Sequence, residues 1–360
     1  MNKIAVMISL DYELFGDGTG DVQREQIVPT QHLKNIASLY NVKLTILFEY
    51  GQYLAYEKYS TVNQNFAIQN KLIENQLIDF VKDGHDVQFH FHAQWHNAVY
   101  NQKTEEFELN LEYVDFTAMD YKDMTSILYQ GKKFLEDLLK PIKNDYQCIG
   151  FRSGSWAVKD EEKLYKALKE CGYKADSSVV PNTKFESEQV NFEYKDCPHN
   201  YKYWMVDKKI SKEAKSKKSY FVEIPPYTIK HPLAFFKYLN PKNKLSRKIM
   251  SKFYTTKISE KNFSIFQKIK KILTRNYYMA DINTMDYKTL IQMVEEVIHN
   301  KTLYNKKEII PLMFIGHPKV TYGCDDLHLF FHYMKEKYPE IVTYWTYQES
   351  IQYILGEEIK

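Results

Sequence analysis

The stretch that most constrains this chain is its first strand. Ile4 to Leu10 is a continuous apolar run, as expected of a parallel strand covered on both faces, and it ends in Asp11-Tyr12-Glu13. Strand alternation puts Asp11 and Glu13 on one face at the strand's carboxyl end, where parallel α/β folds place their chemistry. Two carboxylates there can divide labour, one holding a metal ion while the other takes a proton from water. Alone, the stretch reads more simply as an acidic strand-to-loop turn. The histidines downstream change that reading.

Four of the 11 histidines fall between Gly84 and His96. Val87, Phe89 and Phe91 alternate with Gln88, His90 and His92, the period-two pattern of a strand with one apolar face. His90 and His92 therefore point the same way and could share one ion. His92 with His96, or His90 with Gln94, lie four apart and would meet if a helical turn follows. Neutral imidazole is the commonest protein ligand for zinc and similar ions.

The rest of the chain alternates strands and helices. Helices are expected over Gln31–Tyr40, Asn70–Asp83 (stopped by Gly84), Ser126–Leu139, Glu161–Cys171 (capped by Asp160) and Asp325–Lys337. Strands are expected over Val42–Phe48, with Glu49 at its end, Tyr146–Phe151, Phe221–Pro225 and Ile309–Ile315, and Thr343–Tyr347 leads into a last helix. The alternation suggests a parallel, barrel-like α/β fold. Gly16 to Gly20 lacks the lysine and spacing of a phosphate-binding loop. Cys148, Cys171, Cys197 and Cys324 are dispersed, without a CxxC pair, and free thiols are expected.

No window approaches the ~18 apolar residues of a membrane span. The N-terminal run meets Asp11 and Glu13 without a small-residue cleavage site, so a cytosolic location is expected. The net charge is only +3, but Lys202 to Arg275 carries 20 Lys or Arg against 4 Asp or Glu. Within it, lysines alternate with Phe235, Phe236, Leu239, Leu245, Ile249, Phe253, Phe266, Ile269, Ile272 and Leu273, the spacing of basic amphipathic helices. Such helices lie on anionic membrane surfaces. No motif for nucleic acid accompanies the charge, and none is expected as a partner.

Taken in order, an Asp motif ending the first strand, Gly-His-Asp-Val-x-x-His at 84–90, Phe-Arg-x-Gly-x-Trp at 151–156 and Ile-Gly-His at 315–317 resemble the polysaccharide deacetylases of carbohydrate esterase family four. The match runs from Lys3 to about Trp345, with Lys202 to Asn300 poorly covered. The resemblance implies a single domain over 1–360, a distorted (β/α)7 barrel, with a basic, partly helical insertion at about 230–300. It also implies a metal-dependent N-deacetylase. Asp11 then looks like the base that activates the attacking water, Arg152 like the arginine that orients it, and His317 like the acid toward the leaving amine. Trp156 would wall the sugar site, and Asp176, in Asp176-Ser177-Ser178, would line it.

Two positions depart from the family pattern. The family commonly has Asp-Asp where this chain has Asp11-Tyr12, and Glu13 is the substitute ligand expected here. His90 takes the first metal-histidine position, but Gln94 stands at the second. His92 could replace it, or the His92/His96 pair could form the motif after a two-residue shift. The metal set expected is Glu13, His90 and His92 around one divalent ion, zinc. The expected activity is removal of N-acetyl groups from amino sugars or lipid-linked glycan intermediates of surface-polysaccharide biosynthesis, at the inner face of the membrane. Hydrolysis of another non-peptide amide, or an inactive glycan- or membrane-binding relative, are the alternatives.

Overall fold

The computed structural model describes residues 3–186, 191–198, 203–215, 219–231, 276–300, 309–321 and 325–357. Its organising strand, β1 (Ile4–Tyr12), is buried along its whole length, and alternation sorts its side chains into two compartments. Ile4, Val6, Ile8, Leu10 and Tyr12 join the large core between sheet and helices. Met7 joins a second, smaller core with Leu47, Ile149, Val222, Met313 and Tyr347. Apart from Tyr347, which belongs to a helix, these come from strands or the residue before one all around the sheet, so the second core is the inside of a barrel.

The barrel strands are β1, β2 (Leu44–Glu49), β3 (Asp86–Phe91), β4 (Gly150–Ser153), β5 (Ala175–Asp176), β6 (Val222–Glu223) and β7 (Ile310–Gly316). They pair in parallel in the order β6-β5-β4-β3-β2-β1-β7. Pro226, just beyond β6, makes a parallel bridge to Met313 of β7, and the Tyr227 N–H donates to the Met313 carbonyl at 2.8 Å. That bridge joins the two ends of the strand order into a ring of seven parallel strands, the expected (β/α)7 barrel. The distortion lies in β5 and β6, two residues each, and in a closure made by one bridge. Outside the ring, Trp204–Met205 runs antiparallel on β6, and Val342–Tyr344 runs parallel to the first residues of β1.

Helices α1 (Val28–Ser38), α2 (Tyr50–Tyr59), α3 (Gln64–Lys82), α4 (Tyr121–Leu139), α5 (Glu161–Glu170) and α6 (Tyr287–Ile298) lie between strands, and α7 (Asp325–Lys337) and α8 (Tyr347–Leu355) follow β7. Tyr347 and Ile351 of α8 plug the interior core. Gly84, at φ +80°, makes the left-handed turn from α3 to β3, a conformation glycine adopts without strain. Helix α2 has no periodic apolar stripe to announce it; Glu49 sets it, accepting from the Gly51 and Gln52 N–H groups of its first turn. Helix α6 falls within the span assigned to the basic insertion. The lysine-rich segment 232–275 lies outside the described residues. Among the described residues, no helix is long and apolar enough to cross a membrane.

An acidic pair sits inside the barrel. Asp176 and Glu223 face each other in the register of β5 and β6, and both are fully buried. Asp176 accepts from the Ser178 hydroxyl at 2.7 Å and Glu223 from the Val179 N–H at 3.0 Å. Burial, reinforced by the Asp176 charge, raises the Glu223 pKa well above the carboxylate range, and burial raises Asp176 as well. A carboxyl whose folded pKa is raised holds a proton that the unfolded chain has released. Its contribution is present near the unfolded pKa and fades as pH rises through the folded one. Stability should therefore fall from pH 5 upward, by about 1.4 kcal/mol per pH unit for each proton retained. Urea midpoints across pH 5 to 9 should show this slope in the wild type and a flatter one in Glu223→Gln. Equal slopes would remove the pair as its source.

Candidate active site

The site forms at the carboxyl ends of the barrel strands, beginning with the end of β1. Asp11 and Glu13 continue the inward-facing series of Met7 and Ser9, while Tyr12 points outward and donates its hydroxyl to Gln76 of α3 at 2.7 Å. Tyr12 therefore cannot stand in for a metal-binding carboxylate. Glutamines fix this strand end. Gln26 donates to the Tyr12 carbonyl at 3.1 Å, Gln52 accepts from the Leu14 N–H at 3.0 Å, and Gln52 donates to Gln26 at 2.9 Å. Each buried amide thus finds a partner, and the backbone carrying both acids is held from behind.

Glu13 meets both strand histidines. Its Oε2 lies 3.1 Å from His90 Nε2 and 2.6 Å from His92 Nε2. His90 Nδ1 sits 2.9 Å from the Arg152 carbonyl, which can only accept, so Nδ1 carries a hydrogen and Nε2 is the nitrogen turned to Glu13, where it shares a proton with the carboxylate or binds an ion. The Gln94 amide lies 3.0 Å from His92 Nδ1, and its Oε1, buried, has no hydrogen-bond partner. Turning the amide by 180° gives that oxygen the His92 Nδ1–H and frees the second Nε2 lone pair. Two imidazole lone pairs and a carboxylate oxygen this close require a cation or protons between them. Glu13, His90 and His92 therefore fit a divalent ion, with the nitrogen and oxygen donors that zinc takes.

Glu49 completes the cluster, its ligand atoms and those of Glu13, His90 and His92 all lying within 4.8 Å of one another. Its oxygens are already engaged, accepting from the N–H groups of Gly51 at 2.6 Å, Gln52 at 3.3 Å and His92 at 2.7 Å. Burial, with the Glu13 charge adding to it, raises its pKa to about 7. It serves as the clamp that holds the His92 backbone. Burial would raise Glu13 too, but His92, Lys319 and hydrogen bonds from both histidines outweigh it and hold Glu13 well below its usual range.

Gly154 explains the glycine of Phe-Arg-x-Gly-x-Trp. A Cβ there would collide with the His92 ring. Gly154→Ala should push that ring off Glu13 and, through a displaced ligand, lower zinc affinity about 10–100-fold. Competition with a chromophoric chelator would measure it, and unchanged affinity would mean His92 is not a ligand.

Beside this cluster lies the second acid. Arg152, fully buried, donates to Asp11 Oδ1 at 2.5 Å and to the hydroxyls of Ser9 at 2.9 Å and Ser177 at 3.1 Å. Burial would raise the Asp11 pKa, but the Arg152, His90 and His317 charges together lower it. His317 Nε2 lies 3.5 Å from Asp11 Oδ2 and 3.9 Å from Glu13 Oε1. Asn283 fixes His317 by accepting its backbone N–H at 2.5 Å. The Trp156 ring stands edge-on to His317, centroids 5.9 Å apart. Ser155 and Trp156 both have left-handed φ, +57° and +51°, a strained pair that Tyr194 braces by donating to the Trp156 carbonyl at 2.8 Å.

The structure thus brings together Asp11, Glu13, His90, His92, Arg152, Trp156 and His317. His96 turns away toward Tyr113, ring centroids 6.1 Å apart, and Gln94 contacts a histidine instead of replacing one. Asp176 is enclosed with Glu223 in the interior. Two buried neighbours were not anticipated, Glu49 and Lys319. Glu49 ends β2, and Lys319 lies in the turn Pro318–Val320 that follows β7.

No family model and no curated protein sequence matches the chain. Among solved structures it is similar to a probable polysaccharide deacetylase from Pseudomonas aeruginosa PAO1 (12% identity, 99% of this chain, 92% of that one, TM-score 0.47). It is also similar to Puue allantoinase (10%, 98% and 90%, TM-score 0.49) and to a GH57-type branching enzyme from the archaeon Pyrococcus horikoshii (8%, 96% and 69%, TM-score 0.49). Likeness of this extent identifies neither a substrate nor a reaction for this chain.

Proposed function

We propose that this chain is a metal-dependent hydrolase of non-peptide carbon–nitrogen amides, removing N-acetyl groups from amino sugars or glycan intermediates. The observation that carries the reading is the juxtaposition of two groups at one barrel mouth. One is the Glu13–His90–His92 donor set. The other is Asp11 and His317, 3.5 Å apart beside it. Asp11, kept ionised by Arg152, takes a proton from the attacking water. His317 gives one to the departing nitrogen, which amide hydrolysis requires because amide anions leave poorly. Trp156 offers a flat apolar wall beside His317, suited to a sugar face. A bound divalent ion, for which zinc suits the donors, would polarise the acyl carbonyl and favour water ionisation.

The basic segment between His231 and Arg275 supports a place at an anionic membrane surface, where lipid-linked sugars of polysaccharide assembly are met. Metal analysis of the purified protein, combined with an acetate-release screen on lipid-linked and nucleotide-linked N-acetylhexosamines, tests the reading. One equivalent of metal and acetate release are expected. A metal-loaded protein that releases no acetate but cleaves other amides would transfer the site to a different substrate class.

A further inference from the structure

Lys319 is the least expected side chain at this site. The short turn Pro318–Val320 after β7 folds it back into the barrel mouth, where its side chain is 2% exposed. Its ammonium donates to Glu13 Oε1 at 2.6 Å and to the Leu14 carbonyl at 2.9 Å, and lies 5.8 Å from the Phe15 ring centroid. A buried ammonium is costly unless paired, and here both acceptors come from the same strand end. The result is a divided carboxylate. Oε1 of Glu13 is tied to Lys319, and Oε2 alone faces the two histidine nitrogens.

This division bears on what the site can hold. A carboxylate free to turn can offer an ion one oxygen or two, and ions of high coordination number such as calcium use both. A carboxylate with one oxygen pinned by an ammonium offers the other. A fixed positive charge 2.6 Å from a ligand also opposes a second cation, so Lys319 is poorly explained as a means of raising affinity in general. Its geometry is better explained as a constraint on how Glu13 binds.

We propose that Lys319 is a positioning residue of the metal centre: by holding Glu13 Oε1 it makes the chain present one carboxylate oxygen and two imidazole nitrogens, which selects zinc-like ions over oxygen-loving, high-coordination ones. The inference rests on the reading that Glu13, His90 and His92 hold a metal. It assigns Lys319 no contact with substrate and no part in proton transfer.

Cobalt(II) reports coordination number directly, because its visible bands are intense in four- and five-coordinate sites and weak in six-coordinate ones. The full chain, stripped of metal, would be titrated with cobalt, and with zinc and magnesium in competition, as wild type and as Lys319→Met. Lys319→Gln takes the place of the Met variant if that variant does not fold, as judged by circular dichroism. The wild type should bind one cobalt with intense visible bands. The variant should still bind one, with the bands weakened and the preference for zinc over magnesium reduced about tenfold or more. A variant with the wild-type spectrum and the wild-type preference overturns the role of Lys319 and leaves the metal assignment standing. A wild type that takes up neither cobalt nor zinc overturns the metal assignment and this inference with it.

Discussion

Replacing Asp11 by Asn is expected to lower hydrolysis about 10²–10⁴-fold while the metal remains bound, since that is the range a positioned acid–base group supplies. The substitution preserves size and keeps an oxygen that can accept from Arg152, so the barrel mouth should keep its shape. What disappears is the basic oxygen. Asp11 is 2% exposed, and without its partners burial would favour the neutral acid. Arg152 at 2.5 Å and the adjacent histidines keep it charged instead. Glu13, two residues on, keeps its own contacts with His90, His92 and Lys319, so metal content should change little. Rates of acetate release from a metal-loaded variant, set beside its metal stoichiometry, check both halves of the expectation. A fully active variant would remove Asp11 from catalysis, and one without metal would make it a ligand.

Much of this arrangement was legible in the sequence because it depends on short-range periodicity. The inward series Ser9, Asp11, Glu13 and the pair His90, His92 follow from alternation alone, and both strands keep it. The choice among His92, His96 and Gln94 was not legible, because it turns on where β3 stops. His92 is still extended, at φ −93° and ψ 102°, so it stays on the face of His90. A single 3₁₀ turn, Ala93–Trp95, then carries His96 away. The enclosure of Asp176 depends on its register with β6, a strand expected from the sequence but whose pairing partner no local pattern announces. Lys319 was hidden for a related reason. Nothing in Gly316-His317-Pro318-Lys319 says that the turn after proline folds the lysine inward, and a lysine beyond a strand end is ordinarily solvated. Glu49 was visible as a strand-end acid, but its three backbone donors come from two different elements, α2 and the end of β3.

The Arg152–Asp11 pair gives the largest expected effect on stability. Arg152 is 0% exposed and its guanidinium is surrounded by Asp11, the Ser9 and Ser177 hydroxyls and the Met313 sulfur at 2.8 Å. Arg152→Met keeps much of the side-chain volume but leaves the buried Asp11 charge without its cation. Breaking a buried pair in this way costs about 3–5 kcal/mol, a large share of the ~5–15 kcal/mol that holds a typical protein folded. The cost comes from the stranded charge more than from the lost attraction, so it should shrink when the charge is removed too. The double variant Asp11→Asn/Arg152→Met should therefore be more stable than Arg152→Met alone, with a coupling of at least ~1 kcal/mol between the sites. Urea unfolding of the wild type, both single variants and the double variant measures that coupling. If the two losses simply add, the pair is not the unit that the 2.5 Å contact implies, and Arg152 supports the barrel through its serine and methionine contacts instead.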